Sequence, residues 1–287
     1  KQLWSKIDYP NKVIVSQVLI SLGECGFKAS ISQISRIKFA IESDIADVAW
    51  NIAAIGEINK GGHSEFLIDA IRNENQSDME HIYMLLGMLY DARSIQLVKE
   101  NIESGTAEGI AYAIELLDVF LSDDLKQKVI PLLDDVSEAE KSKKLEIFFP
   151  RVALDSHTVL KFLINRDFNQ TNRWVKACAI YQIGHYKLKN YSLDIVANLF
   201  NPDELVLQIS AWALFQISPE QYEEHTSRVD NQLKVKLDRM IIKEHSLGNT
   251  LMKYDVVQFL KQVTLFSQVQ GIVLASLADH LVSISLE

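Results

Sequence analysis

Residues 108–135 read EGIAYAIELLDVFLSDDLKQKVIPLLDD. In the first half, Ile110, Ala113, Ile114, Leu117 and Leu121 recur at offsets 0, 3, 4, 7 and 11. That spacing returns an apolar side chain to one side of a 3.6-residue helix at every turn, where a strand would alternate. The polar SDD breaks the pattern, and LKQKVIPLL restarts it with more charge. The stretch predicts two helices joined by a short connection, the first small and apolar, the second more charged. Pro131 falls inside the second apolar run, where it either kinks that helix or opens a new one.

The same stripe recurs on both sides. In IADVAWNIAAIGEI, Ile45, Val48, Ala49, Ile52 and Ile55 keep helical spacing, and in ELVLQISAWALFQI so do Val206, Ile209, Ala213 and Ile217. HIYMLLGMLY is followed at once by DARSIQLVKENIES, a second pair. Aligning the apolar first members on Val48, Ile82, Ile110, Trp174 and Val206 gives gaps of 34, 28, 64 and 32 residues. The gap of 64 covers two repeats, with DSHTVLKFLIN (Asp155 to Asn165) in the hidden one. Two helices per period of about 30 to 40 residues is the mark of an α-solenoid, because one pair cannot bury both sides of its stripe and stacked neighbours can. The expected fold is all-α: a HEAT-like solenoid of antiparallel helix pairs, with little or no sheet. The marker residues of tetratricopeptide and ankyrin repeats are missing.

Start and stop signals fit this reading. NPDE (Asn201 to Glu204) offers Asn201 as a cap and Pro202 at the first helical position. SPEQ (Ser218 to Gln221) matches a capping box. Gly56 or Gly61-Gly62 would stop the Trp50 helix, Gly184 the Trp174 helix. The polar DDVSEAEKSKK (Asp134 to Lys144) reads as an exposed helix connection.

Composition narrows the function classes. The chain has 287 residues, 48% of them hydrophobic, enough for a sizeable core, and its 4 Trp, 9 Tyr and 12 Phe exclude a disordered chain. The net charge of −9 repels nucleic-acid phosphates and anionic membranes unless a local patch compensates. The most basic run, Arg228 to Lys243, holds Arg228, Lys234, Lys236, Arg239 and Lys243, diluted by Asp230 and Asp238, and reads as a solvated face. Two distant cysteines, Cys25 and Cys178, make no disulfide framework; Cys178 keeps helical spacing with Trp174, Ala177 and Tyr181 and reads as a small core residue. A reduced, cytosolic setting fits. No apolar run reaches the roughly 20 residues a membrane helix needs. The chain begins at Lys1, without Met or a signal peptide, and reads as a piece of something longer.

The search for chemistry is thin. Of the seven histidines, His63, His81, His157, His185, His225, His245 and His280, no two lie three or four apart, so no helix presents a two-histidine metal face. Asp78 and His81 are three apart, half of a carboxylate–histidine metal motif whose second half and further Glu are missing, and they read as a helix-start Asp and a surface His. GGHSE (Gly61 to Glu65) lacks the Lys and Ser/Thr of a phosphate loop and reads as a helix stop followed by a Ser64 cap. Acid pairs such as Glu220 and Glu224 sit on ordinary charged faces. In RDFNQTNRWVKACAIYQIG (Arg166 to Gly184), Asp167, Asn169 or Thr171 could cap the Trp174 helix, while Arg166, Arg173 and Lys176 could line a surface for an acidic partner. No catalytic, cofactor-binding or metal-ligating residue is assigned, no cofactor is expected, and the chain reads as non-enzymatic.

Several segments in order resemble a known bacterial arrangement: YPNKVIVSQVLISLGECGFKA, then YDARSIQLVKENIESGTAEGIAYAIELLDVFLSDDLKQKVIPLLDD, then NRDFNQTNRWVKACAIYQIG. They are similar to the soluble HEAT-repeat region of proteins related to the ATP/ADP translocase (nucleotide transporter) family, in which a membrane segment precedes the repeats and a cyclic-nucleotide-binding domain follows them. FLKQVTLFSQV and the helix after it (Ile272 to Val282) are similar to the helical lead-in of such a domain, where a short amphipathic helix ends in a leucine-phenylalanine pair, here Leu265 and Phe266. The β-roll with its Gly-Glu and Arg elements is absent from this sequence, so no ligand residue carries over. A plain helix pair capping the solenoid would have the same periodicity.

The resemblance implies a HEAT-like repeat domain over 1–250 and a helical lead-in segment over 251–287. It implies a non-catalytic, cytoplasmic scaffold or regulatory region that meets a membrane or a cyclic nucleotide only through flanking segments. Its partners would be neighbouring domains or another protein, with no nucleic acid expected. Two other readings stand beside it: a stand-alone protein-interaction adaptor, and a HEAT-like DNA glycosylase, which would need a basic concave face with aromatics and a carboxylate.

Overall fold

The computed structural model describes residues 2–9, 11–62, 65–151, 153–166, 171–241 and 251–281. Among them are fifteen α-helices, three single-turn 3-10 helices and no strand. The chain divides into two compact units, Lys1–Gly61 with Glu74–Asp155, and Gly62–Asn73 with Ser156–Glu287.

In the first unit, α1 (Lys12–Glu24) is capped by Asn11, whose side chain accepts from the amides of Val13 and Ile14. The 27-residue α2 (Ile34–Lys60) buries its whole expected stripe, Ile45, Val48, Ala49, Ile52 and Ile55. It runs through Gly56 and stops at Gly61, so the later stop signal is the one used. α3 (Glu65–Leu89) follows, the unit boundary falling within it. Then come α4 (Ala92–Glu103) and α5 (Ala107–Phe120), capped by Asp91 and Thr106. Pro131 lies in the last turn of α6 (Asp123–Leu133) and opens no new helix. Its missing N–H forgoes the bond to the Gln127 carbonyl, and the helix ends two residues later.

The expected connection over 134–144 is in large part a helix. α7 (Glu138–Glu146) starts at Ser137 with a reciprocal capping box to Glu140 and buries Ser142 and Leu145. Its charge hid it: two inward side chains in nine residues are too weak a stripe to read. Helices α4 to α7 each pack on the next, and α6 and α7 pack on α2, closing one core around Leu19, Ile41, Ile82, Leu117, Leu125 and Leu145. Each such buried aliphatic side chain contributes about 1.5–3 kcal/mol.

The second unit stacks pairs. α8 (Ser156–Asn165) packs on α9 (Arg173–His185), and α10 (Ser192–Asn198) on α11 (Glu204–Ile217); α8 also meets α10, and α9 meets α11. This two-layer contact pattern is solenoid-like. It corrects the pairing: DSHTVLKFLIN supplies α8, the first helix of the α9 pair, so the Trp174 and Val206 helices are second members. Gly184 is likewise not a stop. It lies inside α9, where an added Cβ would come within 2.7 Å of the Trp212 ring and 2.8 Å of Ala213 on α11. The helix ends at Tyr186, and Lys187 takes the left-handed position (φ 52°) usually given to glycine.

Caps move by a residue or two from their expected places. Asn172 caps α9, accepting from Trp174 and Val175; Thr171 is buried ahead of it, and Asp167 and Asn169 lie outside the described residues, as does Ser64. Asp203 caps α11 and Pro202 precedes the helix, while Asn201 accepts from the Asp203 amide. Ser218 caps α12 (Pro219–Thr226) with Pro219 first, but Gln221 Oε1 is buried without a partner among the described residues, so only half of the box forms.

α13 (Asn231–Ile241) and α14 (Lys253–Gln262) pack on α11, and α15 (Gly271–Ala278) packs on α14 and α9. Leu265 and Phe266 follow α14 in a turn rather than ending it, and Leu265 is exposed.

Candidate functional site

Three helices of the first unit bring charge into its interior. Lys12 opens α1, with Ser16 one turn on. Asp44 and Asp47 stand three apart on α2, and Asp78 and His81 three apart on α3. Lys12 Nζ donates to Asp78 Oδ1 at 2.6 Å and to Asp47 Oδ2 at 2.9 Å. Ser16 Oγ lies 2.6 Å from His81 Nε2, and His81 Nδ1 lies 4.0 Å from Asp44 Oδ2. Asp78 is 0% and His81 2% exposed. The expected helix-start Asp and surface His are therefore a mid-helix Asp and a core His: α3 begins at Glu65, three turns earlier. A one-turn pattern cannot reveal burial when the covering residues come from positions 12–16 and 44–47.

The electrostatics follow from burial. Burial opposes the charge on Lys12, but the carboxylates of Asp78, Asp47 and Asp44 outweigh it and hold the ammonium firmly protonated. Burial lifts Asp78 to about 6 against the pull of Lys12. Burial and the Asp78 charge hold the Asp44 carboxyl well above the usual range. Burial, helped by Lys12, lowers His81 to about 4, so the ring is neutral at physiological pH. The Ser16 hydroxyl reaches two acceptors, the Lys12 carbonyl at 2.9 Å and His81 Nε2 at 2.6 Å; when its proton goes to the carbonyl, it accepts from Nε2–H and Nδ1 keeps a lone pair.

Ser16, His81 and Asp44 thus follow the order of a nucleophile–base–acid relay without its geometry. The 4.0 Å gap is too long for a hydrogen bond, and a base lowered to about 4 is poorly matched to neutral pH. The arrangement suits holding a cation better than activating a hydroxyl: one ligand atom each from Asp44, Asp78 and His81 lies within 4.8 Å of the other two. The missed signal was the match between two i,i+3 polar pairs, Asp44/Asp47 on α2 and Asp78/His81 on α3.

No family model, curated protein or solved structure matches the chain.

The other sequence candidates are occupied by structure. Arg173 bridges Asp203 at 3.1 Å and Asp279 at 2.7 Å, and Lys176 Nζ donates to the Arg166 carbonyl, so two of the three cations expected to meet an acidic partner are used within the second unit. In the basic run, Arg228 pairs with Glu224, Lys234 with Glu223 and Lys236 with Glu204; Lys243 lies outside the described residues, as do His63 and His245. Lys253 then joins Asp279 and Glu204, each at 2.7 Å. Charges alternate from Asp203 through Arg173, Asp279, Lys253 and Glu204 to Lys236. Beneath them Trp174, Tyr254, Tyr181 and Trp212 stack at centroid spacings of 5.2, 4.6 and 4.9 Å, binding α14 to α9 and α11. Cys178 is buried there and Cys25 exposed; burial pushes the Cys178 thiol well up, away from reactivity. No helix of the described residues is long and apolar enough to cross a membrane.

Proposed function

We propose that the chain is a non-catalytic helical-repeat scaffold whose C-terminal helix pair seats a further protein domain. One observation carries this reading. α15 buries Leu274, Ala275 and Ala278 against its own unit, while Val273 and Leu277, one turn apart, are exposed beside Ser276, and Leu281 is exposed just beyond the helix. Apolar side chains left in the open next to one another mark a surface that another body covers. Exposed Phe259 on α14 and Leu265 in the following turn add to the uncovered apolar surface.

In the arrangement the sequence resembles, the domain beyond this pair binds a cyclic nucleotide, and the repeats couple it to a nucleotide-transporter-like membrane segment. On that reading the repeats are a cytoplasmic region of a larger bacterial protein, and the nucleotide-binding residues lie outside this chain. The test is calorimetry with cyclic AMP and cyclic GMP on this chain and on a longer product of the same reading frame. Binding by the longer chain alone is the expected result. Binding by this chain would overturn the proposal. An adaptor using the same face against a separate protein is the second reading, and rests on the same stripe; a partner bound in trans at unit stoichiometry, abolished by Leu277→Glu, would favour it.

A further inference from the structure

We propose that Asp44, Asp78 and His81 form a binding site for one divalent first-row transition-metal cation. Three observations converge on it. One ligand atom from each residue lies within 4.8 Å of the other two. Asp78 gives Oδ1 to Lys12, but Oδ2, on a fully buried side chain, has no hydrogen-bond partner among the described residues. His81 Nδ1 faces Asp44 Oδ2 at 4.0 Å, too far apart for a hydrogen bond between them. Carboxylate oxygens and an unprotonated ring nitrogen are all acceptors. Acceptors that converge in a protein interior are costly unless a cation or a proton comes between them.

The surroundings are built as they are around known metal ligands. A ligating histidine normally donates its other ring N–H to a fixed acceptor, which sets the tautomer and the ring plane. Here His81 Nε2 is paired with Ser16 Oγ at 2.6 Å, and Ser16 Oγ also reaches the Lys12 carbonyl one turn back. Lys12 fixes Asp78 from the opposite oxygen and leaves Oδ2 available. Three carboxyl groups, Asp44, Asp47 and Asp78, surround the single ammonium of Lys12, so Lys12 does not match them one to one.

Geometry and ligand type name the class of ion. Ligands about 2.1 Å from a zinc-like ion stand roughly 3.0–3.5 Å from each other. The separations, 4.0 Å between His81 and Asp44 and no more than 4.8 Å for the others, would close by about 0.5–2 Å around such an ion through side-chain rotation. An imidazole among carboxylates selects ions such as Zn²⁺, Co²⁺ or Mn²⁺ over Mg²⁺ and Ca²⁺, which prefer oxygen alone. The Asp44 side chain, 14% exposed, provides the route from solvent. Three protein ligands leave further positions to water.

The test uses the whole chain, freed of metal by chelator and dialysed against CoCl₂, with visible absorption and metal analysis as readouts. The expected result is one Co²⁺ per chain, with d–d bands that report nitrogen coordination and Co²⁺ held at least tenfold tighter than Mg²⁺. Asp44→Asn, an isosteric change at the one ligand that reaches solvent, should lose at least tenfold in affinity while folding normally, as circular dichroism would verify. Ser16→Ala should weaken binding about tenfold while keeping the bands. Less than about a tenth of an equivalent bound, Mg²⁺ bound as tightly as Co²⁺, or unchanged affinity in folded Asp44→Asn would each overturn the assignment.

Discussion

Gly271 lies against Trp174 so closely that a Cβ built on it would stand 2.1 Å from the indole Nε1 and 2.4 Å from the neighbouring ring carbon. Trp174 is also 2% exposed and stacked on Tyr254, which leaves its ring little room to move. Gly271→Ala should therefore cost about 1–3 kcal/mol, the usual range for overpacking a filled core. A urea titration followed by Trp fluorescence checks it, and an unchanged midpoint would refute the packing described.

Lys187 makes the opposite prediction. It is exposed and holds φ 52° at the end of α9, where an L-residue with a side chain pays for the left-handed conformation. Lys187→Gly should raise stability by about 0.5–1 kcal/mol, because glycine takes that position freely. A lower melting temperature in the variant would show the side chain to be supporting the turn.

Lys12 holds the first unit's interior charge. Lys12→Met leaves Asp78 buried without its counter-ion, a change that costs about 3 kcal/mol or more. The loss should be larger at pH 8 than at pH 5, where Asp78 can take up a proton instead. Adding Asp78→Asn to Lys12→Met should recover most of the stability. Failure of that rescue would mean that Lys12 acts through its packing.

In chelator, Asp78 and His81 should tilt the pH profile in opposite directions. They face Lys12 and Ser16 of α1 and Asp44 and Asp47 of α2. With Asp78 raised to about 6, the folded chain keeps a proton that the unfolded chain has lost between about pH 4 and 6, so this group's stabilisation falls as pH rises. With His81 lowered to about 4, the folded chain binds fewer protons between about pH 4 and 6.5, so its stabilisation is lost as pH falls. Relative to the parent chain, Asp78→Asn should gain stability as pH rises from 4 to 6.5, and His81→Gln should gain as pH falls across the same range. Denaturant midpoints at four pH values would show the two differences diverging; parallel profiles would refute the assignment.

What was legible in the sequence was what one helix says about itself. The stripe of Ile45 to Ile55, that of Val206 to Ile217, and the small buried Cys178 depend only on local period, and all are buried as expected. What was hidden depended on distant residues. Gly184 looks like a helix end until Trp212 and Ala213 are set against it. Asp78 and His81 look exposed until α1 and α2 cover them. Asn172 rather than Thr171 caps α9 because side-chain reach to two amides decides a cap, and neighbouring polar residues compete for it on nearly equal terms. α7 was missed because Ser142 and Leu145 alone face inward.

The alternating ion chain of the second unit has a consequence for how that unit assembles. Repeat stacks ordinarily fold from nearest neighbours outward, each pair adding to the last. Here Arg173 is joined to Asp279, 106 positions further along. The aromatic column likewise needs Tyr254 to fill its place between Trp174 and Tyr181. Such distant closures slow folding and make it more nearly all-or-none. During synthesis α8 to α11 would emerge with one flank bare and gain this ion pair and this stacking only once α14 and α15 arrive.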